Sequence, residues 1–187
     1  MSAPMTDLRG RVGMFCLIAA ESAIFTIFVV AYLFYIGKSG AGPTPADVLH
    51  APIVLTICLL SSSLTVHAGV KALMKGDVVG FARWWLLTLA LGAVFLAGTG
   101  IEWHRLIHVD GLTIHTNLFG TTYFSLVGLH AFHVTAGLAG LALGSILALR
   151  RYVRPIHASR CDVFSLYWHF VDVVWVVVFL VVYVAGR

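Results

Sequence analysis

The sequence has little charge. Asp, Glu, Lys and Arg make up 11% of its 187 residues, where a soluble domain carries about a quarter. That excludes a water-soluble enzyme of this length, since there is too little polar side chain to cover its surface. Motifs for chemistry on a soluble substrate are missing as well. There is no P-loop, no HExxH, no GxSxG and no pair of carboxylates in an aqueous loop, so neither phosphate binding, zinc hydrolysis nor acyl transfer is predicted. Cysteines number three (Cys16, Cys58, Cys161), with no paired spacing and no CxxC. They read as small apolar residues rather than a disulfide or metal framework. No internal repeat and no low-complexity tract is found. No basic run is interleaved with exposed aromatics, so nucleic acid is not an expected partner.

What the chain has in excess is hydrocarbon: 60% hydrophobic residues and a mean hydropathy of +0.96. Crossing a bilayer takes about 20 consecutive apolar residues. Five stretches qualify, near residues 12–36, 52–73, 84–101, 121–149 and 164–185. None alternates with period 2 as a barrel strand would, and continuous apolar runs of this length form helices. The expectation is an all-α, polytopic membrane protein, a bundle of five transmembrane helices in a single domain, 1–187. The first stretch exceeds the roughly 7–15 residues of a signal-peptide core, and Glu21 interrupts it, so it is expected to be retained. The Gly- and Pro-rich residues 37–51 read as a surface loop. Residues 102–120, with Trp, three His and charges, read as chain at the headgroup level.

Orientation follows from the basic residues. Arg9 and Arg11, then Lys71, Lys75 and Arg83, then Arg150, Arg151, Arg154 and Arg160 fall on one side. Those are nine of the twelve; Lys38, Arg105 and Arg187 fall on the other. The N-terminus is therefore expected in the cytoplasm and the C-terminus on the opposite side. The formal charge of +4 serves topology and anionic lipid.

Ionisable groups inside spans cost around 2.5–3.5 kcal/mol for Asp, Lys or Arg at a helix centre on insertion scales, which makes them the informative residues. Glu21 lies near the middle of the first span, as a relay carboxylate or as a protonated carboxyl bonded to a neighbouring helix. His169 and Asp172, three apart, share one helical stripe. That stripe must face protein, and a structural pair locking the last helix to its neighbours is the leading role, ahead of proton transfer. His130 and His133 cannot sandwich a haem iron from one helix; His67 or His169 would have to supply the opposite ligand. Hydrogen bonding between helices is the expected role of these imidazoles. Ala136, Gly140 and Gly144 form a small-xxx-small face for helix packing, and the hydroxyls of "SSSLT" (61–65) can bond within or between helices.

Three motifs carry a resemblance. "YWHFVDVVWVVVF" (167–179) resembles the C-terminal signature of subunit III of haem-copper terminal oxidases. "TYFSLVGLHAFHVTAG" (122–137) is similar to that family's penultimate-helix motif. "MFCLIAAESAIFTIFVVAYLF" (14–34) resembles its acidic helix, with Glu21 at the buried glutamate. The order is right and nearly the whole chain is covered. The resemblance implies a non-catalytic subunit of a proton-pumping cytochrome c oxidase in aerobic respiration, in the bacterial plasma (inner) membrane. It would pack on catalytic subunit I, stabilise it and support proton uptake. Partners would be subunits I and II and phospholipids, with haem and copper in those partners and no cofactor or metal in this chain.

Carried over by residue, Glu21, His130 and His133 are buried polar or proton-related groups, and His169 with Asp172 a polar pair. Arg150 and Arg151 fall near a lipid-headgroup arginine. Seven-helix members of the family form a lipid-filled cleft with their first two helices. This chain begins at what would be the third, so a cleft would need another chain to supply that pair. Subunit III of a quinol oxidase, or the related nitric-oxide-reductase-associated subunit, is the close alternative. A haem b electron carrier and a small proton-coupled transporter around Glu21 are readings of another class. The absence of an internal repeat and of Gly/Pro-broken helix pairs weighs against the transporter.

Overall fold

In the bilayer every backbone N–H and C=O must find a partner within the segment, so long apolar runs become helices. The structure is a computed structural model that describes residues 3–40 and 42–186; Arg187, counted above, lies outside them. Its elements are α1 (Ala3–Tyr35), a single turn α2 (Pro45–Val48), α3 (Ile53–Met74), α4 (Val78–His108), α5 (Leu118–Leu149), a 3-10 turn (Pro155–His157) and α6 (Ala158–Phe179), which ends in a π-helical turn (Leu180–Ala185). No strand occurs among the described residues, and five helices are long and apolar enough to span a membrane.

The third span is longer than apolarity alone predicts. Asp77 caps α4, its carboxylate accepting from Gly80 N at 2.7 Å, so the helix starts six residues before 84. At its other end no Gly or Pro intervenes before Gly111, whose φ of +66° makes the turn. Residues 102–108, expected at the headgroup level, therefore continue the helix; only 109–117 connect to α5, which Asn117 caps by accepting from Gly120 N at 2.8 Å.

The loop 36–52 is also more ordered than its composition suggests. Arg105 donates to the Val48 carbonyl at 2.6 Å, and Val48 and Leu49 are buried. The Thr44 hydroxyl and then its amide bond to the Asp47 carboxylate, holding its pKa below the usual carboxylate range.

α6 occupies the centre of the bundle. It packs on α1, α3 and α5; α3 packs on α4, α4 on α5, and α1 mainly on α5 and α6. Trp168 and Trp175 of α6, Phe95 of α4 and Tyr123 and Leu126 of α5 are fully buried in the shared core. The small residues of α5 admit rings rather than a neighbouring backbone. A Cβ on Gly137 would lie 2.6 Å from the Trp168 ring, on Gly140 2.4 Å from Phe164, and on Gly144 2.4 Å from Trp85. Ala136, expected on this face, is exposed; Gly137, one residue on, takes its place. The expected face holds at Gly140 and Gly144 and fails at Ala136, because the Trp168 ring enters at Gly137, three residues rather than four before Gly140.

Candidate functional site

Hydrophobic force does not drive helices together in lipid; packing and interhelical hydrogen bonds do. The polar side chains at mid-span are therefore the groups that fix how the helices meet. They fall into two groups on either side of α6.

Between α1 and α5, Glu21 Oε2 lies 3.1 Å from His133 Nε2, with side chains 23% and 7% exposed. His133 Nδ1 lies 2.8 Å from the Leu129 carbonyl, which can only accept, so Nδ1 carries a hydrogen. The Glu21–His133 contact then contains one proton, held either as carboxyl O–H on a neutral imidazole or as imidazolium against carboxylate. That is the arrangement of a group able to shift a proton over a fixed hydrogen bond. Phe25 packs on the His133 ring at 5.0 Å between centroids, and Tyr167 of α6 donates to the His133 carbonyl at 3.1 Å.

Between α3 and α6, the Ser63 hydroxyl donates to Asp172 Oδ2 and lies 2.9 Å from His169 Nδ1. With its proton given to Asp172, Ser63 accepts from His169 Nδ1–H. Two further bonds from α6 to α3 flank this one: Trp168 Nε1 to Ser62 Oγ at 2.8 Å and Trp175 Nε1 to Thr56 Oγ1 at 3.1 Å. The seryl run thus works between helices at Ser62 and Ser63, while Thr65 meets Thr88 of α4 at 2.7 Å. Ser61 bonds back to the Cys58 carbonyl.

His130 departs from the expected interhelical hydrogen bond. It is 1% exposed, and neither ring nitrogen has a hydrogen-bond partner. Phe25, Phe95 and Trp175 box it in at 6.5, 5.9 and 5.1 Å between ring centroids. Its apolar faces are packed while its polar edges stay unused. That box leaves no room for a porphyrin beside His130, and the nitrogens of His133 are already spent on Leu129 and Glu21. His130 and His133 do not fit a haem.

His67 of α3 is exposed, with its ring 6.5 Å from that of His169. It sits seven residues before the end of α3, so about 10 Å from it at 1.5 Å per residue. Arg150 and Arg151 are exposed just past α5, with Arg151 at φ +62°. Arg151 borders an apolar hollow of about 380 Å³ with Val78, Ala82 and Leu149. A larger groove, about 500 Å³, runs between α1 and α6 past Ser22, Phe25, His169 and Val173.

Sequence reasoning named the mid-span acids, the imidazoles and the hydroxyls of residues 61–65, but not which of them pair. Thr56 and Tyr167 carried no signal beyond being hydroxyls in spans, and the Glu21–His133 pair joins residues 112 apart. Among the described residues no three His, Cys, Asp or Glu side chains gather as a metal site.

Five spans fastened to one another by mid-membrane hydrogen bonds define a multi-pass helical membrane protein. Comparison with known proteins makes the class specific. The model of the family described as cytochrome c oxidase subunit III matches residues 6–187, and the chain belongs to that family. It is 42% identical over 186 residues to cytochrome c oxidase subunit 3 of a Synechocystis species, covering 95% of this chain and 76% of that one. The Corynebacterium diphtheriae subunit 3 is 37% identical over 164 residues, 87% and 79% of the two chains. That of Alkalihalophilus pseudofirmus is 34% identical over 176, 93% and 85%. Membership implies a complex with other subunits.

Proposed function

We propose that the chain is the non-catalytic subunit III of a proton-pumping cytochrome c oxidase. It packs on catalytic subunit I in a bacterial plasma membrane, steadies that subunit and supports proton uptake, with its N-terminus in the cytoplasm. The observation that carries this reading is the match to subunit III over residues 6–187, on a bundle in which Glu21, His133, His169 and Asp172 are spent on helix-to-helix contacts.

Packing on another subunit is supported by His67. An imidazole exposed within a span is costly against lipid, and such groups face protein or water. A proton role is supported by the single proton that Glu21 and His133 must share. Arg151, beside its apolar hollow, suits a phospholipid headgroup with its chain in the hollow. In this reading the chain carries no haem or copper of its own; both lie in its partners, subunits I and II.

The test is a reduced-minus-oxidised absorption spectrum of the complex that copurifies with a tagged copy from native membranes. An a-type haem signal with larger subunits present is the expected result. A b-type signal from this chain alone would overturn it and make the histidines ligands. An intact, monodisperse sample without haem would turn the reading toward a transporter.

A further inference from the structure

The fourth span carries a carboxylate that neither polar group above uses. Glu102 lies six residues before the end of α4, about 9 Å from it along the axis, and is partly buried. Tyr183, in the π-helical turn after α6, is 3% exposed and points its hydroxyl at both carboxyl oxygens, 3.4 Å from each. The Tyr183 hydroxyl is also 3.4 Å from that of Tyr123 on α5, which is fully buried. The Trp103 indole N–H lies toward Tyr123 without closing a hydrogen bond. Tyr32 of α1, 1% exposed, packs edge-on to Phe119 next to Tyr123, and its hydroxyl has no partner. Four helices thus bring one carboxyl and three phenols to the end of the bundle where α1 and α4 finish.

The charges around this cluster are few and already engaged. Arg105, one turn on from Glu102, gives its guanidinium to the Val48 carbonyl at 2.6 Å, His50 Nδ1 at 3.0 Å and Asp110 at 3.5 Å. Besides the charge of Arg105 one turn away, an ionised Glu102 would have only one phenol hydrogen divided between two oxygens, both at the long limit for an O–H···O bond. A protonated Glu102 fits better. It donates to Tyr183, Tyr183 donates to Tyr123, and each group in the chain has a partner.

We propose that Glu102, Tyr183 and Tyr123 form a second proton-binding site of this protein, separate from Glu21 and His133. Its ligand is a single proton, held on Glu102 and exchanged at the end of α4, where that residue is only partly buried. The two tyrosines order the proton without titrating themselves.

Infrared pH-difference spectroscopy on the purified complex, in H2O and D2O, tests this. The expected spectrum contains a protonated-carboxyl C=O band at neutral pH that disappears on alkalinisation. The band should be lost in Glu102→Gln, shifted in frequency in Tyr183→Phe and retained in Glu21→Gln. If Glu102→Gln leaves the carboxyl region unchanged at every pH, Glu102 is ionised throughout, as an Arg105 counter-ion, and the proposal falls. Should Glu102→Gln fail to assemble, the parent complex is treated with a hydrophobic carbodiimide, which reacts with protonated carboxyls, and mapped by mass spectrometry. An adduct on Glu102 supports the site; a recovered, unmodified Glu102 peptide overturns it.

Discussion

α1 and α6 are almost equally apolar, yet only 6% of the most apolar stretch of α1 is buried inside the bundle, against 44% for α6. Hydropathy separates membrane from water; it does not separate the rim of a bundle from its centre. What puts α6 in the middle is a set of side chains that lipid cannot satisfy. Trp168, Trp175, His169 and Asp172 each find a hydroxyl on α3, and the glycines of α5 open slots for its rings. α1 offers one ionisable group at mid-depth, Glu21, keeps the hydroxyls of Ser22 and Thr26 on its own carbonyls, and presents Phe15, Ile24, Ile27 and Val30 outward.

The largest effect should come from closing a slot on the α6 side. Leucine at Gly137 would drive its Cβ to 2.6 Å from the Trp168 ring, and overpacking of this kind costs about 1–3 kcal/mol or more. Gly13 on α1 has nothing within 4 Å of where its Cβ would stand, so Gly13→Leu should leave the protein unchanged. Membrane abundance of the chain and recovery of copurifying subunits read both. Equal loss from the two variants would dissolve the contrast between centre and rim.

Next in size is Asp172→Leu. It removes the acceptor of the Ser63 hydroxyl and unsettles His169 with it, worth roughly 1–3 kcal/mol for a buried partner left unmet. Assembly should fall while turnover per assembled complex holds. Asp172→Asn, which still accepts from Ser63, should assemble far better. A fully assembled Asp172→Leu complex with defective proton pumping would move this group from a pin to a proton path.

The contrast between the two helices could be read only in part beforehand. Five spans were legible because burial in lipid is a property of composition along one segment. The ionisable residues were legible because each is expensive where it stands. Their pairings were not, since Glu21 with His133 and Ser63 with Asp172 depend on how helices rotate against one another, and serine gives no signal of its own. Glu102 was passed over because a Trp, three His and an Arg around it resembled interfacial chain. Gly111, not the polarity of residues 102–108, decides where α4 stops.

On the α1 side, Glu21→Gln tests whether the mid-membrane contact of the rim with His133 is a fastening or a proton site. The amide still donates to His133 Nε2, and interhelical bonds of this kind average about 0.6 kcal/mol, so assembly should be nearly intact. The amide cannot release a proton, however. Reduced proton uptake in a normally assembled complex is the expected outcome, and unaltered uptake would make Glu21 a fastening only.

The smallest effect belongs to the outlying tie of α1. Arg11 Nη2 meets Asp162 Oδ2 at 2.6 Å, with the two side chains 52% and 23% exposed. Exposed pairs contribute about 0.2–1 kcal/mol and weaken as salt screens them. Arg11→Ala should lower the melting temperature of the complex slightly at low ionic strength and not at all at high, and Asp162→Ala should do the same. The double variant should be no worse than either single one, because the pair is a single interaction. α1 has so few other contacts that even this small term bears on how firmly its first turns sit against α6. If the loss persists at high salt, screening does not reach the pair, and the rim of the bundle is covered at that point by a neighbouring subunit.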